Sequence, residues 1–345
     1  MSKQLHNIYD KKVLRKRLEL DTTPRITLSF YRYVIIENTH DLRNSMYEAW
    51  SLLGVLGRIY LAKEGINAQL SVPEANYNRL IEYLNSSTYF KNMAIKIAVE
   101  DNGKSFYKLI IKVRTKLVAD GLEDATFDVT NVGQHLTAAE FNAAMQQPNT
   151  LVVDMRNHYE SEVGRFKNAI CPDADTFRDE LPLVAQLLAA KKNQKLLLYC
   201  TGGIRCEKAS AYLKHVGFED VNQLHGGIVD YVQQVRREGL ENMFVGKNFV
   251  FDERLGERIS DDVIAACHQC GAACDTHTNC SNDDCHLLFI QCDACKTAMH
   301  GCCSDSCKSI VQLPLEAQRA LRKANNKVET HAVHHKSKGR LRPSL

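Results

Sequence analysis

The stretch LLLYCTGGIRCEKASAYL, residues 196–213, holds the residues best suited to chemistry. An apolar run ends in Cys200, two glycines and an arginine follow, and an amphipathic helix begins. Gly202 and Gly203 can take positive φ, which lets successive backbone N–H groups point inward around an anion. The positive end of the following helix and the fixed charge of Arg205 add to that field. Together they should lower the Cys200 thiol from about 8.5 towards the range of reactive thiolates. A space-filling cysteine gains nothing from such a setting. The loop therefore predicts Cys200 as a nucleophile, with Gly202, Gly203 and Arg205 stabilising its charge.

Loop size narrows the chemistry. Cysteine phosphatases place five residues between cysteine and arginine, whereas four separate Cys200 from Arg205, and the phosphatase arginine position holds Cys206. The smaller loop resembles that of rhodanese domains, in which the cysteine carries a sulfane sulfur; VVDMR upstream and VNQLHGGI downstream complete that pattern. Cys206 falls in the first helical turn, either as a packing residue or as a thiol able to resolve an oxidised Cys200. Asp154 and Arg156 either line the loop or form an internal salt bridge. Cys171, before Pro172, has the weakest claim to a role.

A second constellation lies downstream. Ten of the thirteen cysteines fall between Cys267 and Cys307, and none precedes residue 171. In a reducing compartment such a cluster more often binds metal than forms disulfides. CHQC and CDAC make two Cys-x-x-C knuckles, Cys267/Cys270 and Cys292/Cys295, with the geometry to share one tetrahedral zinc. Cys274, Cys280, Cys285, Cys302, Cys303 and Cys307 remain, with His277, His286 and His300 nearby. Spacing does not settle which of these would hold a second metal. An iron–sulfur cluster uses the same ligand type, and a metal-free reduced module stays open. No flavin or nicotinamide fingerprint stands out.

These residues need a scaffold. Over 1–120, RITLSFYRYVII (25–36) reads as a strand, DLRNSMYEAWSLLG (41–54) as a helix and RIYLAKEGINAQLSV (58–72) as two strands around Glu64-Gly65. PEANYNRLIEYL (73–84) reads as a helix opening on proline, and AIKIAVE and FYKLIIKV as further strands. That order predicts a ferredoxin-like, acylphosphatase-like α/β sandwich. Over 126–243, a Thr-capped helix in LTAAEFNAAM (136–145) precedes buried strands LVVDMR and KLLLYC, which alternate with helices from about 179, 205 and 228. This is the pattern of a doubly wound parallel sheet, whose sites form beyond the carboxyl ends of strands, where Cys200 lies. Residues 246–310 form an irregular cysteine-rich module. Residues 311–345 read as a disordered basic tail.

The formal net charge of +3 hides an uneven distribution. From Lys308 to Leu345 there are nine Lys/Arg against two acidic residues, which suits a polyanion such as RNA. Lys11, Lys12, Arg15, Lys16 and Arg17 form a second basic cluster. No apolar run approaches the roughly 18 residues of a membrane span, and no secretory signal is evident. A cytoplasmic location is expected.

The N-terminal α/β segment, YCTGGIRCEKASAYL, GKNFVFDERLGERI (246–259) and CHQC…CHLLFIQC together resemble the rhodanese-like tRNA uridine hydroxylases. The resemblance runs to about residue 310 and leaves the last ~35 residues outside. It implies oxygen-dependent 5-hydroxylation of the wobble uridine, with dioxygen as co-substrate, the tRNA anticodon loop as partner and Cys200 essential. A rhodanese-type sulfurtransferase or persulfide carrier is the competing reading.

Overall fold

The computed structural model describes residues 5–123 and 126–325. The first unit comprises α1 (Lys11–Leu20), β1 (Arg25–Tyr33), α2 (Thr39–Leu52), β2 (Leu56–Ala62), β3 (Gly65–Pro73), α3 (Tyr77–Ser86), β4 (Lys96–Ile97) and β5 (Leu109–Val113). Its sheet runs β4-β1-β3-β2-β5, antiparallel except that β5 lies parallel to β2. The first four strands give the acylphosphatase-like order, and β5 extends one edge. Strand alternation divides the two faces. Leu28 and Phe30 point into a core with Met46 and Trp50 of α2 and Leu80 and Leu84 of α3. Thr27, Ser29 and Tyr31 point to the opposite face, which carries no helix of its own.

The expected helix at 73–84 starts later. Pro73 still pairs with Arg25 in the sheet, residues 74–76 form a 3₁₀ turn, and the α-helix begins at Tyr77. Proline fits the end of β3 because its missing N–H removes only a terminal bond. The tight β2–β3 turn needs Gly65. Its φ is +140°, and a Cβ there would lie 2.0 Å from the Arg32 carbonyl oxygen.

The second unit contains β6 (Gln134–Leu136), α4 (Ala138–Met145), β7 (Thr150–Asp154), α5 (His158–Ser161), β8 (Gly164–Phe166), α6 (Phe177–Leu187), β9 (Lys195–Tyr199), α7 (Ile204–His215), β10 (Asp220–Leu224) and α8 (Gly227–Glu238). The four-stranded sheet is parallel, in the order β6-β10-β9-β7. Within β9, Leu197 and Tyr199 pack with Phe141 of α4 and Ile228 of α8, while Leu196 and Leu198 pack with Leu181 of α6 and Leu213 of α7. Both faces are therefore covered, as a doubly wound sheet requires. Thr137 and Glu140 close a reciprocal capping box on α4, worth about 1 kcal/mol.

Beyond it lie β11 (Phe244–Asn248), β12 (Glu257–Arg258), β13 (His277–Asn279), β14 (Leu288–Ile290), α9 (Asp293–Ala298), α10 (Asp305–Val311) and α11 (Leu315–Asn325). A small sheet β12-β11-β8 ties this region to the second unit. The expected disorder from 311 needs correction, since 315–325 is helical with Glu316 in its first turn and Arg322 and Lys323 in its last. Those charges complement the helix dipole. The tail cations Lys336, Lys338, Arg340 and Arg342 lie outside the described residues.

Candidate functional site

Cys200 follows the last residue of β9, and its side chain is 1% exposed. The Gly203 N–H donates to its Sγ at 3.1 Å. Gly203 adopts φ +97° and starts α7, so the chain can turn back over the sulfur. Gly202 departs from expectation. It is absent from the positive-φ glycines, and a Cβ there would meet nothing within 4 Å. The second glycine on which the loop depends is instead Gly227, at φ +68°, where a Cβ would lie 2.6 Å from the Cys200 carbonyl oxygen and 2.7 Å from the Gly203 nitrogen. The first N–H groups of α8 hold the loop from below: Ile228 donates to the Cys200 carbonyl at 3.0 Å and Val229 to that of Thr201 at 3.2 Å.

Burial pushes the Cys200 thiol up. A hydrogen bond from the Cys206 side chain, the Arg205 charge and the Cys206 and Arg205 backbone N–H groups outweigh it, leaving Cys200 at about 6. Cys206 shifts the other way, well above its usual value, through burial and its bond to Cys200. One thiol is the anion and the other its donor. At neutral pH the pair holds a single proton, on Cys206.

Arg205 is clamped rather than free. Its Nη1 and Nη2 donate to Glu160 Oε1 and Oε2 at 2.7 and 2.8 Å, and Glu160 also accepts from Thr201 Oγ1 at 3.2 Å. Glu160 lies on α5, in the segment HYES, and sequence reasoning missed it; its three-residue offset from the capping Asn157 was the available signal. Asp154 and Arg156 form the internal salt bridge at 2.7 Å, with both side chains fully buried and Tyr199 Oη donating to Asp154 at 2.7 Å. They support β9 from beneath and do not reach the loop's open side. Cys171 is pushed up to about 11 by burial, which makes it inert. Glu180 on α6 is fully buried, neither oxygen has a hydrogen-bond partner among the described residues, and burial pushes its carboxyl well up.

The helix-free face of the first sheet closes over this loop. Tyr31 Oη donates to Glu207 of α7 at 2.8 Å, and a Cβ on Gly203 would come within 2.8 Å of that oxygen. Lys96 lies with its Nζ 4.4 Å from the Tyr31 ring centroid. Lys208 pairs with Glu64 at 2.9 Å. The segment FDERLGERI acts as a clasp: Arg254 grips Asp252 and Glu257, Glu257 accepts from the Val99 N–H at 3.2 Å, and Glu253 donates its N–H to Ser105 at 3.0 Å. Between the two units lies a small cleft, lined by Thr27, Ser29 and Gln69 on one side and by Thr201, Val229 and Phe251 on the other. Sequence reasoning had no local signal for Tyr31 or Lys96, although the alternation of Thr27, Ser29 and Tyr31 with Leu28 and Phe30 marks a sheet whose second face is polar.

The cysteine-rich module brings together two sets of four sulfurs. Cys267, Cys270, Cys292 and Cys295 have all Sγ atoms within 4.8 Å of one another, as do Cys280, Cys285, Cys303 and Cys307. Individual Sγ separations are 3.7 Å for Cys270–Cys292, 3.6 Å for Cys285–Cys303 and 3.7 Å for Cys303–Cys307. Tetrahedral coordination at a metal–sulfur distance of about 2.3 Å requires edges of about 3.8 Å. The donor sets fit a metal. The two sets interleave along the chain, which explains why spacing could not assign the second. Alternation in β14 separates them: Leu288 and Ile290 pack around Cys267, while Leu287 and Phe289 pack around Cys280 and Cys307. Cys274 and Cys302 join neither set.

Of the N-terminal cations, Lys11, Lys12 and Lys16 are exposed on α1, Arg15 pairs with Glu253 at 2.5 Å, and Arg17 stacks on Tyr9 at 4.3 Å.

Comparison with known proteins follows the same divisions. Residues 25–117 match the UPF0176 acylphosphatase like domain, 137–234 the rhodanese-like domain and 245–308 the rhodanase C-terminal domain. A tRNA uridine(34) hydroxylase of Leptospira interrogans is 57% identical over 99% of this chain and 92% of its own length. Proteins of that name from Cronobacter sakazakii and Photorhabdus laumondii are 51% and 52% identical, each over 99% of this chain and 97% of theirs. The alignments include nearly all residues after 310, which had been expected to fall outside the likeness. On identity and coverage together, the chain belongs to the tRNA uridine(34) hydroxylase family.

Proposed function

We propose that this protein hydroxylates C5 of the wobble uridine in the tRNA anticodon loop, with dioxygen as co-substrate: one oxygen atom enters the base and the other leaves as water, at the expense of an external two-electron donor. The observation that carries this reading is Cys200, held as a thiolate at about 6 beside an inter-unit cleft, in a chain whose relatives bear the hydroxylase name. Uracil C6 is electrophilic, and addition of a thiolate there makes C5 electron-rich. Cys200 adds to C6 and later leaves. The Gly203 N–H and Arg205 keep the sulfur anionic between turnovers, with Glu160 fixing Arg205 in place. The base reaches the loop from the open side of Gly202, splayed out of an unpaired anticodon strand.

Each Cys₄ set would hold one zinc ion, closing the module around its two small cores. The described residues include no helix long and apolar enough to cross a membrane, and a tRNA substrate fits a cytoplasmic location.

The test is nucleoside mass spectrometry of tRNA incubated aerobically with purified protein, scoring 5-hydroxyuridine at position 34. Its appearance with wild type and its absence with Cys200→Ser is expected. No product from wild-type protein under aerobic conditions would sink the proposal.

A further inference from the structure

Lys96 is 7% exposed, and its ammonium lies 4.4 Å from the centroid of the Tyr31 ring. Among the described residues no carboxylate or carbonyl accepts a hydrogen bond from it. A buried ammonium without an acceptor is costly, and a cation–π contact offsets only part of that cost. The register explains its position. Lys96 pairs with Ser29 across β4 and β1, so its side chain shares the face of Ser29 and Tyr31, the face turned towards the Cys200 loop. The groups charged around it are Asp230, Cys200 and Glu207, all of which favour its cationic form against burial. The neighbouring cations are already committed: Arg205 to Glu160 and Lys208 to Glu64. Lys96 is thus a positive charge on the face turned to the nucleophile, contributed by the other unit and held by no ion pair among the described residues.

We propose that Lys96 is the electrophilic partner of Cys200, its ammonium donating to the uracil 4-oxygen as the sulfur adds to C6. This rests on the reading of the substrate as a uridine. In that step the S–C6 bond forms, the C5=C6 π pair moves to C5–C4, and the C4=O π pair moves onto O4. The resulting oxyanion meets the Lys96 N–H, and collapse of the enolate reverses each movement. No oxidant is consumed. Arg205, the other cation of the loop, is taken up by its bidentate bond to Glu160.

The experiment uses full-length Lys96→Met and Lys96→Arg. Methionine keeps the contact with Tyr31 and removes an uncompensated charge, so its Tm should equal or exceed that of wild type. Removal of one preorganised donor to a developing oxyanion costs roughly 10²–10³-fold in kcat. Lys96→Met should show that loss with KM for tRNA changed less than threefold, and Lys96→Arg should recover part of it. The pH midpoint of Cys200 alkylation by iodoacetamide, read on its peptide by mass spectrometry, should rise in Lys96→Met. A kcat within twofold of wild type, a loss confined to KM, or failure of Lys96→Met to fold overturns the proposal. If wild-type protein makes no 5-hydroxyuridine, the substrate reading has failed on its own. The alkylation midpoint then decides, and an unchanged value overturns any pairing of Lys96 with Cys200.

Discussion

Cys200 and the cysteines of the C-terminal module are the same residue put to opposite uses. Around Cys200 backbone N–H groups, one thiol and one clamped arginine hold a single sulfur as an anion against a hydrophobic core. In the module, eight sulfurs are gathered in two sets of four, with separations near 3.7 Å that match the edges of a tetrahedral metal site. The first setting leaves its sulfur able to attack carbon. The second is arranged for each sulfur to give a lone pair to a metal rather than to carbon. What differs is the source of the compensating positive charge: fixed dipoles that remain in place while the sulfur reacts, or a metal that occupies it.

The largest expected effect separates the two directly. Cys200→Ser should reduce hydroxylation to background while circular dichroism and Tm stay near wild type, because only one sulfur in a preformed loop is changed. Cys267→Ser should do the reverse in kind, lowering the metal content and loosening residues 246–311 to protease. Background activity in Cys267→Ser with an intact module would break the comparison, since it would place that sulfur in the chemistry.

Metal content is the next measure. Two zinc ions per chain are expected, with no visible-region absorption. A chelator that strips both should expose 246–311 to proteolysis before the parallel sheet unfolds, because Leu287, Leu288, Phe289 and Ile290 supply only two small cores without the metals. Brown protein with sulfide-linked iron would replace zinc by a cluster.

Much of this was legible in the chain because the signals are local. The end of a buried strand, the pair Gly202-Gly203 and the helix beginning near Arg205 identify Cys200 within a dozen residues. Two Cys-x-x-C knuckles similarly identify Cys267, Cys270, Cys292 and Cys295. What stayed hidden is whatever depends on pairing between distant elements. Gly227 enters the loop from 27 positions downstream, Glu160 from a four-residue helix, and Tyr31 and Lys96 from a separate sheet. The second sulfur set was hidden for a related reason: its members alternate with those of the first, so only the β13–β14 hairpin tells them apart. Gly202 shows the opposite error. A glycine pair suggested two left-handed residues, but the structure needs only Gly203 to be one.

The glycines offer a graded check on the loop. Gly227→Ala forces a Cβ to within 2.6–2.7 Å of three backbone atoms of the Cys200 loop and should cost at least tenfold in turnover. Gly202→Ala meets no atom within 4 Å and should leave Tm unchanged. Equal effects at the two positions would show that the cradle is not built on the 203/227 contact.

The smallest expected effect concerns Cys206. With Cys200 at about 6, its thiolate is the dominant form at pH 7.5, and alkylation by iodoacetamide should rise with pH through a midpoint near 6. An ordinary thiol would show that midpoint near 8.5. The Cys206 thiol is the first of the groups that lower Cys200, ahead of the Arg205 charge and the backbone N–H groups. Cys206→Ala removes this donor and leaves Arg205 and the loop backbone in place. The midpoint should then move up by about one unit, consistent with loss of a single charge-assisted hydrogen bond in a buried site. At pH 7.5 most of Cys200 would remain ionised, so turnover should fall by less than threefold, whereas at pH 6 the deficit should widen. If Cys206 were instead needed to resolve an oxidised Cys200, the variant would lose activity on repeated turnover at every pH while its alkylation midpoint stayed near 6. The two outcomes move different observables, so a pH series on one variant assigns the role.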